Sequence, residues 1–385
     1  MNTKQELTDL TVCRAVFALW VFVYHVDLYL NFSRFLGPAA DLIRHGYLGV
    51  DGFFILSGLI LARVHAEFNG YVRPKGAFAL PGIKLPSIGA FGSFLGKRLA
   101  RLYPVHLASI VILAILAGAG RVYGWVPHDP GRFSLPALAQ NLFLVQGWGW
   151  SSHGAWNYPS WSISTEWAGY LVFPFLWCLL TYFSSLVAMQ FLIVSTTLLG
   201  LVFVFNGYNL NLAFAGGLIR FFPEFVIGMA TTRVVSQCAD YRIVRRASLI
   251  GGLILALISA AIGVDLAAVV GLWLILFAFL MQVDTELPPM LGQHPVLLWF
   301  GRRSYAFYMT FAIAELLTCQ FFQHNAWTPK SHALLFVAGM LGLTLLLTVF
   351  LYALVEKPCR RWMDRWLEQR SPSPHTNNPQ TLAKG

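Results

Sequence analysis

The sequence predicts an all-α, polytopic membrane helix bundle of about ten transmembrane helices with both termini cytoplasmic, and three observations carry that prediction. Of 385 residues, 57% are hydrophobic and only 11% charged, with a mean hydropathy of +0.62, which leaves too few charges to cover a soluble globule of this size. Apolar stretches of 16 to 23 residues recur along nearly the whole chain, each about long enough to cross a hydrocarbon core of ~30 Å at ~1.5 Å per helical residue. Finally, the basic residues sort onto one side of those stretches, as the positive-inside rule requires.

Spans are expected at roughly residues 10–30, 47–62, 102–119, 167–183, 186–205, 213–231, 248–263, 265–283, 304–322 and 333–355. The first is too long for a signal-peptide core and has no A-x-A-like cleavage site behind it, so it is expected to stay as a helix. Counted from a cytoplasmic N-terminus, the inner segments carry twenty Lys and Arg: Lys4; Arg63, Arg73, Lys75, Lys84, Lys97, Arg98 and Arg101; Arg233, Arg242, Arg245 and Arg246; Arg302 and Arg303; and six in the tail. Outer loops hold five (Arg34, Arg44, Arg121, Arg132, Lys330), while Arg14 and Arg220 fall within spans. Two loops are long, 63–101 with Pro74, Pro81 and Pro86, and 120–166 rich in Trp, Gly and Pro. We expect one membrane domain over 1–366 and a disordered cytoplasmic tail over 367–385.

Two function classes recede on composition. The net charge of +10 comes from loops between apolar segments rather than from a basic face on a soluble domain, so no nucleic-acid partner is expected. Cys13, Cys178, Cys238, Cys319 and Cys359 are scattered without C-x-x-C spacing, which implies neither a metal site nor a disulfide framework. A Gly-rich phosphate loop, a nucleophile elbow and an HExxH motif are all missing.

Ionisable residues within spans are costly and tend to be functional. Arg14 and His25 lie eleven apart in the first span; at ~100° per residue this is three turns plus ~20°, so both project from nearly one face, about 16 Å apart along the axis. Arg14, near the cytoplasmic end, can meet a phosphate, and His25, towards the outer end, is suited to exchange a proton near neutral pH. Taken singly, Arg14 reads equally as a positive-inside anchor and His25 as an interfacial histidine.

In the second span, Gly46-Tyr47-Leu48-Gly49-Val50-Asp51-Gly52-Phe53-Phe54-Ile55-Leu56-Ser57-Gly58 combines small residues for close helix contact with a carboxylate near the outer end. Asp51 is expected at the depth of His25, where it would fix the imidazole tautomer; the alternative is a plain N-terminal helix charge. Before the third span, Arg98 and Arg101 in the run Lys97-Arg98-Leu99-Ala100-Arg101-Leu102-Tyr103-Pro104 suit a polyphosphate, with anionic-lipid binding as the alternative. The second long loop closes on Tyr158-Pro159-Ser160-Trp161-Ser162-Ile163-Ser164-Thr165-Glu166-Trp167. Ser162 and Glu166 share a face once the helix has begun and are expected at the outer mouth. There Glu166 would bond a sugar hydroxyl beside Trp161, since aromatic faces commonly stack on sugar rings, unless the segment is only a capped helix start. Arg220 and Glu224, four apart, and Glu315 are secondary candidates.

Together these stretches resemble the acyltransferase-3 family of multispanning bacterial enzymes over about residues 8–362. The features that carry the resemblance are Arg14-x10-His25, the GYLGVDGFFILSG run, KRLARLYP, PSWSISTEW, Gly301-Arg302-Arg303-Ser304-Tyr305-Ala306-Phe307-Tyr308 and Val355-Glu356-Lys357-Pro358. After Tyr308 the family often has a Trp-His pair where Thr310 and Phe311 stand here, so no second histidine role is carried over.

What the resemblance implies is a membrane O-acyltransferase of the bacterial inner membrane. It would use acyl-CoA, commonly acetyl-CoA, as co-substrate without a permanently bound cofactor, and modify a hydroxyl of a cell-surface carbohydrate or glycolipid. Arg14, Arg98 and Arg101 would then hold the CoA phosphates, and His25 would act as general base or transient acyl carrier. The spacing of Arg14 and His25 matches roughly the length of a pantetheine arm. A transporter or flippase for a lipid-linked sugar is the alternative, since buried Arg, Glu and His also line transport paths, although no inverted repeat is visible.

Overall fold

The computed structural model of the chain describes residues 7–370 apart from 66–67, 69–70, 73–81, 84–85, 125–129, 151–153, 239–241 and 286. Backbone groups in lipid need internal partners, so the apolar chain folds as helix after helix. The long helices are α1 (Thr8–Leu30), α3 (Gly49–Val64), α4 (Ile88–Val122), α6 (Trp161–Tyr182), α7 (Ser185–Phe205), α8 (Gly217–Cys238), α9 (Arg242–Ala261), α10 (Asp265–Asp284), α11 (Pro295–His324) and α12 (Ala333–Leu351). Short helices α2 (Ala40–Arg44) and α5 (Leu135–Leu142) cover connections, and a two-residue strand pair, Tyr71–Val72 with Gly82–Ile83, closes the loop before α4.

Among the described residues ten helical segments are long and apolar enough to cross a membrane, in the expected order. Their lengths differ most from expectation at three places. Helix α4 starts at Ile88 rather than near residue 102, and α11 at Pro295 rather than 304. Hydropathy marks only the lipid-crossing part of a helix, whereas here the polar leading turns carry Lys97, Arg98 and Arg101, and Arg302 and Arg303, inside the same helices. The last span continues from α12 through a π-helical turn, Tyr352–Glu356, into α13 (Lys357–Arg370). Residues 367–370, expected in a tail, are therefore helical. The rest of that tail, 371–385, lies outside the described residues, as do Lys4, Pro74, Pro81, Arg73, Lys75 and Lys84 and the side chain of Cys238.

Two apolar cores share α1, α3 and α8. One joins these helices to α4, α6, α11 and α12, and the other joins them to α7, α9 and α10. Helix α3 is central because its glycines let backbones touch. A Cβ at Gly58 would stand 2.0 Å from the Phe225 carbonyl oxygen of α8, and one at Gly228 would stand 1.9 Å from that of Ile55. On another side, Gly49 and Gly46, the latter in the 3-10 turn that leads into α3, lie against the Phe17 and Trp20 carbonyls of α1, where a Cβ would come within 2.6 and 2.5 Å. In the absence of a hydrophobic drive between helices in lipid, such close packing is what orders them.

At the basic end of the bundle, Asp9 at the start of α1 accepts hydrogen bonds from the backbone N–H groups of Met290, Leu291 and Gly292. Met363 of α13 lies against Gly96 of α4 at the same end.

Candidate active site

A narrow cavity of about 70 Å³ runs between α1, α3, α4, α6 and α11, and Arg14, Arg98 and Arg101 line it together. Each reaches it from a different local cause. Arg14 projects from the second turn of α1, while Arg98 and Arg101 lie one turn apart on α4 and so share a face. Arg98 is held by a hydrogen bond from its Nη2 to His65 Nε2 at 2.6 Å and by the rings of Phe94 and Tyr170, 5.6 and 5.9 Å away. Three guanidinium groups converge here, with Glu166 and the buried Glu356 as the nearby carboxylates. The balance stays positive, which suits an anion with several oxygens.

His25 lies one layer beyond, towards the opposite end of the bundle. Its Nδ1 is 2.8 Å from the Val21 carbonyl oxygen, one turn back on α1. The ring lies against Phe311 and Tyr158, with centroids 4.7 and 5.7 Å away, and is half-buried. Phe311 leads through Tyr308 to Phe53, at 5.7 and 6.2 Å, and both Tyr308 and Phe53 line the arginine cavity. An aromatic partition thus separates the arginines from His25. Beyond His25, the Tyr158 hydroxyl donates to Glu315 at 2.6 Å, and the Tyr29 hydroxyl donates to the same carboxylate.

Asp51 does not meet His25, contrary to the expected pairing. Its carboxylate is gripped at both oxygens by the Arg220 guanidinium, with Nε to Oδ1 at 2.8 Å and a second bond from Nη2 to Oδ2. The cause is the glycine-mediated contact of α3 with α8, which carries Arg220 into the interior. Arg220 also donates to the Tyr47 carbonyl at 3.2 Å, and Glu224, the partner expected four residues on, stands 4.0 Å away as the second carboxylate. All three side chains are fully buried.

The start of α6 also differs from expectation. A 3-10 turn at Tyr158–Ser160 leads directly into the helix at Trp161, so Glu166 lies five residues inside, about 7.5 Å along the axis. Glu166 and Ser162 therefore line the arginine cavity rather than the opposite mouth. Glu166 accepts from Ser57 at 2.7 Å and from Tyr170, while Ser162 Oγ is 3.1 Å from the Tyr308 hydroxyl. Trp161 presents no open face for a sugar. It is 7% exposed, edge-on to Phe54 at 5.9 Å, and packed near Phe214 and the Arg220 guanidinium.

The arrangement is a positively charged cavity with a histidine beyond an aromatic partition, and comparison with known proteins gives the chain a family. The family model described as "Acyltransferase domain" matches residues 7–353. The chain belongs to the acyltransferase-3 family. Among curated proteins, it is 30% identical over 177 residues to "Acyltransferase MdmB" of Streptomyces mycarofaciens, covering 45% of this chain and 39% of that protein. It is 28% identical over 165 residues to "Protein 2 in picA locus" of Rhizobium radiobacter, covering 40% of this chain and 73% of that one. The match thus spans well under half the length of the first of these relatives. No solved structure matches.

Within this acyltransferase-3 chain, sequence reasoning passed over two groups. Glu356, of the Val355-Glu356-Lys357-Pro358 stretch, is buried in the π-helical turn and interacts electrostatically with Arg14 and Arg101. Such turns recur at functional sites. Its signal was a carboxylate one residue past the apolar run. The tyrosines Tyr29, Tyr158 and Tyr170 hold the site's carboxylates, and their only signal was a position near span ends.

Proposed function

We propose that the protein is an O-acyltransferase of the bacterial inner membrane, with both termini cytoplasmic, that moves an acyl group, acetyl in the simplest case, from acyl-CoA to a hydroxyl of a cell-surface carbohydrate. The observation that carries this reading is the alignment of three arginines on one side of an aromatic partition with His25 on the other. CoA phosphates engage Arg14, Arg98 and Arg101 from the cytoplasm. At about 70 Å³ the cavity is smaller than a nucleotide, so the adenosine head stays at the mouth and only the slender pantetheine arm threads inward. Glu166 and Ser162 then flank the arm rather than the acceptor.

His25 supplies the base. A carbonyl only accepts, so the bond to Val21 requires the hydrogen on Nδ1 and leaves the lone pair on Nε2. In transfer, Nε2 takes the proton of the acceptor hydroxyl as its oxygen forms a bond to the thioester carbon. The carbon–sulfur bond breaks, and the proton passes from His25 to the departing CoA thiolate. A two-step route through an acyl group on Nε2 uses the same geometry.

The test is to incubate the purified protein in lipid nanodiscs with radiolabelled acetyl-CoA and an envelope glycan extract. The reading predicts free CoA thiol and labelled glycan in equal amounts. Thiol release without any labelled product, or no binding of acetyl-CoA, would contradict it.

A further inference from the structure

On the far side of His25 from the arginines is a second and larger pocket. It encloses about 440 Å³ on the measure that gives 70 Å³ for the arginine cavity, and is lined by Tyr29, Arg132, Glu315, Gln320, Gln323 and Trp327, among others. That size is in the range of small-molecule sites. The pocket lies one side chain beyond the His25 layer: Glu315 on its wall accepts from Tyr158, whose ring lies 5.7 Å from that of His25.

The lining has a distinct chemistry. Glu315 offers acceptor lone pairs, Gln320 and Gln323 offer both donors and acceptors, and Arg132 offers donors. Arg132 Nε is spent on the Trp156 carbonyl at 3.1 Å, but its Nη2 is buried and has no hydrogen-bond partner among the described residues. A buried guanidinium nitrogen left unpaired is costly and marks a place for a ligand oxygen. Trp327, 37% exposed, is held flat on His332 with centroids 4.4 Å apart and planes 22° apart, and braced edge-on by Phe321 and Phe322 at 5.9 and 6.0 Å. A fixed aromatic wall beside mixed donors and acceptors fits a ring with apolar faces and hydroxylated edges. By contrast, the groove of about 540 Å³ between α1, α9 and α10 is lined almost wholly by aliphatic and aromatic side chains, which suits a lipid chain instead.

We infer that this pocket is the acceptor site and takes one hydroxylated sugar ring. The ring stacks on Trp327 and bonds to Gln320, Gln323 and Arg132, while the Glu315–Tyr158 pair sets its attacking hydroxyl beside His25. This assignment rests on the acyltransferase reading above. It also gives the acceptor role to Trp327 in place of Trp161, whose ring is enclosed.

The experiment measures label transfer from radiolabelled acetyl-CoA at graded concentrations of an envelope glycan extract, with the protein in nanodiscs. Wild type is compared with Trp327→Ala, Trp327→Phe and Gln323→Ala. The expected result is that half-saturation by acceptor rises about tenfold or more in Trp327→Ala and recovers in part in Trp327→Phe. Half-saturation by acetyl-CoA stays at the wild-type value in all three. If wild type transfers label and acceptor half-saturation is unchanged in the variants, the pocket assignment fails while acyl transfer stands. A parallel loss of acetyl-CoA affinity also counts against it, because it assigns Trp327 a purely structural role. If wild type transfers no label, the acyltransfer reading fails and the pocket assignment falls with it.

Discussion

Arg220 and Asp51, 169 residues apart in sequence, form a fully buried two-pronged ion pair between α8 and α3. This pair fixes the helix crossing beside the site, and it leaves His25 to be oriented by its own backbone through Val21.

Arg220→Ala is expected to cost about 3–5 kcal/mol of stability, because it strands the Asp51 carboxylate in the interior without a cation. Asp51→Ala is expected to cost less, since Glu224, 4.0 Å from Arg220 Nε, remains as a counter-charge. Thermal unfolding of the two variants in the same lipid or detergent checks the order. Equal melting temperatures, or the reverse order, would contradict the arrangement.

The α3–α8 contact itself is open to test at its glycines. Gly58→Ala and Gly228→Ala each place a methyl group against a facing carbonyl that cannot retreat without separating the helices. A loss of about 1–3 kcal/mol is expected for each, read by the same unfolding experiment. Gly342, with nothing within 4 Å of an added Cβ, is the control, and Gly342→Ala should not be destabilising.

Arg14→Gln and Arg101→Gln are each expected to weaken acyl-CoA binding by roughly 10- to 100-fold, the loss of one charge-assisted bond of about 1.5–3 kcal/mol. Equilibrium binding of acetyl-CoA to the nanodisc protein measures this directly, and the effect should shrink as salt rises. Unchanged affinity in both variants would remove the phosphates from this cavity.

How much of this was legible in the sequence depended on distance along the chain. Span number and order followed from local hydropathy, and the placement of Arg14 and His25 along one helix followed from the first apolar stretch, because both are properties of one segment. The glycines of the Gly46–Gly58 run were readable as contact positions, but which helices they touch was not. The partner of Asp51 was invisible for the same reason, since Arg220 looked satisfied by Glu224 one turn away. Glu166 was placed at the wrong depth because the sequence did not show that α6 begins at Trp161 directly after the 3-10 turn. Glu315 was visible only as a costly carboxylate in a span; its tyrosine partners on α1 and before α6 come from the fold.

The central claim is that His25 performs the proton transfer, and the most direct measurement is acyl transfer by His25→Ala beside wild type, both purified in nanodiscs and matched for acetyl-CoA affinity. General-base catalysis typically contributes ~10²–10⁴-fold, so the account predicts a His25→Ala protein that binds acetyl-CoA as wild type does yet transfers label to glycan at least a hundredfold more slowly. Transfer at the wild-type rate by a folded, acetyl-CoA-binding His25→Ala protein would contradict it.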